Sequence, residues 1–141
     1  MQRIGGVLLA TVLFLAACSS GTSVFQLEVG DCFDTPSSTE DISSVERIDC
    51  TQPHDNEVFA DLTMPDGEWP GDDAVAAWAD QACLDEFAGY VGVGFDESSL
   101  SYGWLVPTED SWTQGGDRSV SCALFDAAGG KLTGSMKGTG T

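Results

Sequence analysis

Cysteine placement constrains this chain more than any other feature. There are five cysteines: Cys18, Cys32, Cys50, Cys83 and Cys122. Cys18 closes an apolar N-terminal run, and the other four are spread through a polar remainder. No two stand in Cys-x-x-Cys spacing, which disfavours a zinc knuckle or a thioredoxin-like site. Outside the cytoplasm four such thiols oxidise and stay oxidised as two cystines. Four cysteines allow three pairings, and spacing alone does not choose among them. The expected pairing is Cys32–Cys50 with Cys83–Cys122. The first closes a local loop rich in Ser, Thr and Asp, and the second ties a predicted helix to a predicted strand. By the chain-entropy argument each contributes about 3 to 4 kcal/mol.

The N-terminal run explains the fifth cysteine. Arg3 precedes "IGGVLLATVLFLAA", residues 4–17, and the polar "SSGTS" follows Cys18. The run is shorter than the about 20 residues a spanning helix needs. A basic start, a short apolar core and small residues before a break describe an export leader over residues 1–17. The abrupt polar stretch ranks a short membrane helix or a buried N-terminal helix below that reading. "LAAC", Leu15 to Cys18, resembles the lipobox of bacterial lipoproteins. The resemblance implies that Cys18 becomes the first mature residue and carries a diacylglyceryl thioether with a further acyl chain such as palmitate. Two or more chains hold a protein stably on a bilayer, here the outer face of the cytoplasmic membrane. Residues 18–24 are then a lipidated tether, residues 25–138 the domain and residues 139–141 a polar tail.

Charge narrows the partners. The formal net charge is −18, from 23 acidic and 5 basic residues. Arg3 leaves with the leader, so the remaining chain is more acidic still. Such a surface repels nucleic acid and anionic headgroups and keeps a tethered domain soluble. Solubility or salt tolerance accounts for it without a specific partner.

Along the chain, apolar periodicity marks one helix among strands. "DDAVAAWADQACLDEFAGYVG" starts on Asp72 and Asp73, which suit a helix N-terminus. Its Val75, Trp78, Ala79, Ala82, Cys83, Phe87 and Tyr90 recur at spacings of three and four, and Gly89 and Gly92 mark its stop. Strand patterns occupy "VFQLEVGDCF", "VERIDC", "NEVFADLTM", "SLSYGWLVP", "RSVSCALFD" and "KLTGSMK". Residues 34–44 and the stretch "PTEDSWTQGGDR" read as loops. Strands, one helix and then strands predict an α+β domain: a mainly antiparallel sheet packed against one principal helix, with two disulfides.

The segments "VFQLEVGDCFD" (24–34), "VERIDCTQPHDNEVFADL" (45–62), Cys83 ahead of "FAGYVG", "LVPTEDSWTQGGDRSVSCAL" (105–124) and "LTGSMKG" together resemble the septum-formation family of actinobacterial membrane-anchored and lipoprotein domains. The likeness covers about residues 24–138. It implies an extracytoplasmic domain associated by name with cell division or envelope biology, and no established enzymatic activity. Family alone does not supply a mechanism.

His54 is the only histidine, with Asp55 and Glu57 nearby. A zinc site needs three or four converging ligands, and no calcium-loop pattern is present, so no metal and no cofactor is expected. No Gly-x-Ser-x-Gly elbow offers a nucleophile. The expected role of His54 is to hold the turn after Cys50 in shape through a hydrogen bond. Arg118, with Asp117, is expected to act in the same structural clamp, gripping Glu57 or Asp55 and so linking "GGDR" to "PHDNEV". Trp78 is expected in the core and Trp104 on the sheet, whereas Trp69 and Trp112 lie in predicted loops and are candidates for partner contact. The resulting expectation is a non-enzymatic, lipid-anchored domain that binds an envelope or division protein or a cell-wall component. The alternative is an envelope hydrolase using His54 with Asp55 or Glu57.

Overall fold

The computed structural model describes residues 21–37 and 42–141. The expected leader, Cys18 and part of the 34–44 loop lie outside the described residues. Strands β1 (Thr22–Ser23) and β3 (Ser44–Val45) form a small antiparallel pair. The main sheet has five antiparallel strands in the order β4 (Arg47–Ile48), β2 (Cys32–Phe33), β5 (Asn56–Thr63), β7 (Ser119–Asp126) and β6 (Leu100–Leu105). Helix α1 (Asp72–Val91) covers one face. This is the α+β arrangement expected, with a mainly antiparallel sheet, one principal helix and two cystines.

Helix α1 follows from its sequence. Val75, Ala79, Cys83, Phe87, Tyr90 and Val91 are buried, an i, i+4 row that continues for four turns. Asp72 and Asp73 place negative charge on the N-terminal dipole, and Gly92 takes the left-handed conformation at φ 97° that stops the helix. The row packs on Phe59, Val120, Cys122 and Leu124 of the central strands. The Cys83–Cys122 cystine crosses this interface, with Cα atoms 5.6 Å apart. On the opposite face Leu27, Phe33, Val45, Val58 and Ala123 form a second, smaller cluster. A register shift between Val58 and Ala60 lets β5 bury four consecutive residues, Glu57 to Ala60.

Four stretches differ from their sequence patterns. "VFQLEVGDCF" is not one strand: Val24–Gln26 forms a 3-10 turn, and only Cys32–Phe33 joins the main sheet. "VERIDC" divides, because β3 pairs with β1 while β4 pairs with β2. The loop around Trp112 contains helix α2 (Glu109–Gly115). Thr108 and Ser111 cap it reciprocally, and Gly116 ends it. "KLTGSMK" is not a strand. Only Leu132 forms a bridge, to His54, and the chain then runs as a strap across the end of the core. Along this strap Gly134 N–H donates to Cys50 C=O, Gly138 N–H to Tyr90 C=O and Gly140 N–H to Val91 C=O. Glycine at 134, with φ 84°, lets the strap turn there. Two expected boundaries also carry structure: Thr22 and Ser23 of the tether are paired, and Gly140 of the tail is bonded to the helix end.

Candidate functional site

The residues singled out by sequence fall into two groups at opposite ends of β5. The first is a buried polar cluster where β5 begins. His54 and Glu57 are both fully buried. The His54 backbone exchanges hydrogen bonds with Leu132, at 3.0 Å and 2.8 Å. Its Nδ1 lies 2.8 Å from the Gln52 carbonyl, so Nδ1 carries the proton and donates. Nε2 has no partner among the described residues.

Glu57 takes three donors. Tyr90 Oη donates to Oε1 at 2.7 Å, Ser135 Oγ donates to the same oxygen, and Met136 N–H donates to Oε2 at 2.7 Å. The carboxylate therefore fastens the strap to α1 and β5 together. Burial raises the Tyr90 pKa well above its ordinary value, and the Glu57 hydrogen bond and charge add to that rise. Tyr90 stays a proton donor at any physiological pH.

Three atoms with metal-ligating chemistry meet here. Cys32 Sγ, a His54 ring nitrogen and a Glu57 oxygen lie within 4.8 Å of one another. Cys32 is bonded to Cys50, so its sulfur offers no thiolate, and the Glu57 oxygens already accept three hydrogen bonds. The cluster as it stands is a structural knot.

Asp55 is drawn outward instead. Lys131 Nζ lies 2.6 Å from Asp34 and 2.8 Å from Asp55. The Lys131 hydrogen bond, helped by Thr35 N–H, holds the Asp55 carboxyl below its usual range. The same two carboxylates raise the pKa of Lys131.

The second group surrounds Trp112. Arg118 does not reach "PHDNEV". Residue 118 stands beside the far end of β5, where Met64 N–H donates to its carbonyl. Six residues of strand, about 20 Å, separate that end from Glu57. The guanidinium instead donates from Nη1 to the Trp112 and Asp117 carbonyls and from Nη2 to the Gly67 carbonyl. It lies 3.6 Å from the Trp112 ring centroid, stacked on its face. Asp117 accepts from Ser111 Oγ and from Ser119 N–H. Arg118 and Asp117 thus brace α2, and His54 and Glu57 brace the strap.

Trp112 differs from its expected role as an exposed contact. It is buried at 3% exposure, its Nε1–H donates to Gly67 C=O, and Trp69 packs edge-on against it. Among the described residues the most exposed large apolar side chain is Phe25, at 63%. Phe25 lines an open groove of about 440 Å³ together with Val24, Ile42, Trp104, Leu105 and Val106. Tyr90, Ser135 and the Gly67 carbonyl were not singled out from sequence. Tyr90 carried a signal, its place at the end of the apolar stripe; Ser135 carried none.

A family model described as Septum formation matches residues 29–140 of the chain. The chain belongs to the Septum formation family. The match takes in the Glu57 knot, both cystines, the Trp112 brace and nearly all of the strap. Two curated relatives, from Mycobacterium tuberculosis (H37Rv) and Mycobacterium bovis, carry the name "Putative lipoprotein LppN". Each is 35% identical over 115 residues, covering 79% of this chain and 62% of the relative. The chain thus spans about three fifths of the length of these family relatives. No solved structure matches it. Among the described residues no helix is long and apolar enough to cross a membrane.

Proposed function

We propose that this Septum formation domain is a non-enzymatic, lipid-anchored module. It is held outside the cytoplasm by Cys18 and binds another envelope protein or a cell-wall component. The observation that carries the non-enzymatic part is the burial of His54 and Glu57. Both side chains have no exposed surface, and Glu57 is committed to three donors. A general acid or base must come within hydrogen-bond reach of substrate, and these two face only the core. This counts against the envelope-hydrolase alternative. Asp55, its other member, is engaged by Lys131.

The anchor draws support from the apolar leader ending in "LAAC", from the two internal cystines and from relatives named as lipoproteins. Acyl chains at Cys18 place the domain next to the bilayer, and the strongly acidic surface keeps it solvated there.

Cell fractionation with the Cys18→Ala variant tests this reading. The parent chain is expected in the membrane fraction, with an N-terminal peptide mass showing the diacylglyceryl group. The variant is expected to lose both. An unmodified, uncleaved leader in the parent would overturn the anchor. Separately, retention of its cellular role by His54→Gln, at normal protein abundance, is expected. Abolition of that role by this variant at normal abundance would favour the hydrolase.

A further inference from the structure

Strand β6 ends the main sheet, so one of its two edges has no strand beside it among the described residues. Its register shows which groups face that open side. Ala127 N–H donates to Ser99 C=O, and the pairing continues as Ser101 with Phe125, Gly103 with Ala123 and Leu105 with Ser121. In an antiparallel pair alternate residues bond to the partner strand. Ser101, Gly103 and Leu105 therefore bond to β7, and Leu100, Tyr102 and Trp104 turn their N–H and C=O groups outward. Leu100 N–H is taken by Ser98 Oγ at 3.0 Å, as an outward group would be. Tyr102 and Trp104 have no backbone partner on that side among the described residues. Soluble proteins usually blunt such an edge with lysine, proline or a bulge, and "LSYGWL" contains none of these.

Side chains on either face of the edge state what fits. On the helix face Phe95, Tyr102 and Trp104 form a run of rings, with centroids 5.1 Å and 6.3 Å apart, and the Tyr102 hydroxyl donates to Asp80. Asp96 and Glu97 occupy the turn just before the strand. Toward the other face, where Leu105 packs with Val24 and Ile42, lies the Phe25 groove, which Trp104 also lines and whose only charged lining groups are Asp110 and Asp117. Aromatic rings beside carboxylates favour cations, and the groove favours apolar side chains.

We infer that the open edge of β6 is a strand-addition site for an extended segment of another protein, with basic and apolar residues alternating. Main-chain bonds to Tyr102 and Trp104 hold the segment. Its apolar side chains enter the groove and its basic ones lie over the rings and carboxylates. A second copy of this chain is disfavoured by charge, since each carries −18. The inference deepens the partner-binding reading above and rests on it for its biological setting.

Hydrogen exchange on the full-length protein in detergent tests it, with a synthetic hexapeptide of alternating lysine and valine as the probe. In the free protein the Tyr102 and Trp104 amides are expected to exchange fast and the Gly103 amide slowly. Saturating peptide is expected to slow Tyr102 and Trp104 by more than about ten-fold, the scale of one hydrogen bond. A glutamate–valine peptide is expected to leave them unchanged. N-methylation of the amides on one alternate set of the lysine–valine peptide is expected to abolish protection, and methylation of the other set to preserve it. Unchanged exchange, or equal effects of the two methylated peptides, would overturn the inference. So would protection in peptide-free protein that grows with protein concentration, because it would assign the edge to a second copy. Loss of membrane anchoring leaves all these readouts in place, so failure of the proposed function is told apart from failure of this site.

Discussion

The Tyr90 hydroxyl donates to the Glu57 carboxylate at 2.7 Å, joining the last turn of α1 to the first turn-out of β5 beneath the C-terminal strap. Both residues are buried, so the bond works where water does not compete. Ser135 and Met136 complete the set from the strap. One carboxylate thus holds three parts of the chain that are far apart in sequence.

Glu57→Gln is expected to destabilise the fold by about 2 to 3 kcal/mol, because a neutral amide accepts these bonds more weakly and adds donors that have no acceptor. Tyr90→Phe is expected to cost less, about 1 to 2 kcal/mol, since two donors remain. Urea unfolding of each single variant and of the pair measures this. The double variant is expected to fall short of the sum, because both changes act on the same bond.

Joint replacement of Cys83 and Cys122 by alanine is expected to cost about 4 kcal/mol, and of Cys32 and Cys50 about 3 kcal/mol. The order follows from the loops closed, with sequence separations of 39 and 18. Denaturation midpoints with and without reductant check it. A larger loss for the shorter loop would contradict the chain-entropy account.

Arg118→Lys is expected to cost about 1 to 3 kcal/mol despite conserving charge. An ammonium does not span the Trp112, Asp117 and Gly67 carbonyls while stacking on the indole. Trp112→Ala is expected to cost more, about 3 to 5 kcal/mol, by emptying a buried site. Thermal melts followed by tryptophan fluorescence read both effects.

The Lys131 pair sets a pH window. Asp55 has its pKa lowered in the fold, so its contribution is present above the ordinary carboxylate value and is lost as pH falls through the lowered one. Lys131 has its pKa raised, so its contribution is present below the ordinary lysine value and is lost as pH rises through the raised one. Lys131→Ala is therefore expected to flatten the pH dependence of stability at both ends, leaving the neutral region shifted by one small constant. The effect is expected to shrink with salt, because the ammonium is solvent-exposed. Melting temperatures across pH, at low and high salt, check the sign at each end.

Local patterns reached as far as local physics does. The stripe from Val75 to Tyr90 was legible because a helix buries residues three and four apart. The strands β5, β6 and β7 were legible because each is long enough to show its apolar residues. The bounds and pairing of the two-residue strands β1 to β4 were not, although β2, β4 and part of β3 fall inside segments with strand patterns, since pieces so short are held only by their partners. Helix α2 was missed although Thr108 and Ser111 flank its first turn. Its acidic, seven-residue sequence shows one buried side chain, Trp112, which is too few to reveal a period.

By itself the sequence determined the apolar run ahead of Cys18, an even number of cysteines beyond it, the principal helix and the acidic charge, because each depends on composition or on neighbours within a turn or two. Only the tertiary structure decided, among the described residues, which acid is buried, which cation braces Trp112, and that β6 is left with an open edge. Those outcomes depend on contacts such as Ser135 with Glu57, 78 residues apart. Such contacts form only after the chain has collapsed, and no short-range pattern of residues records them.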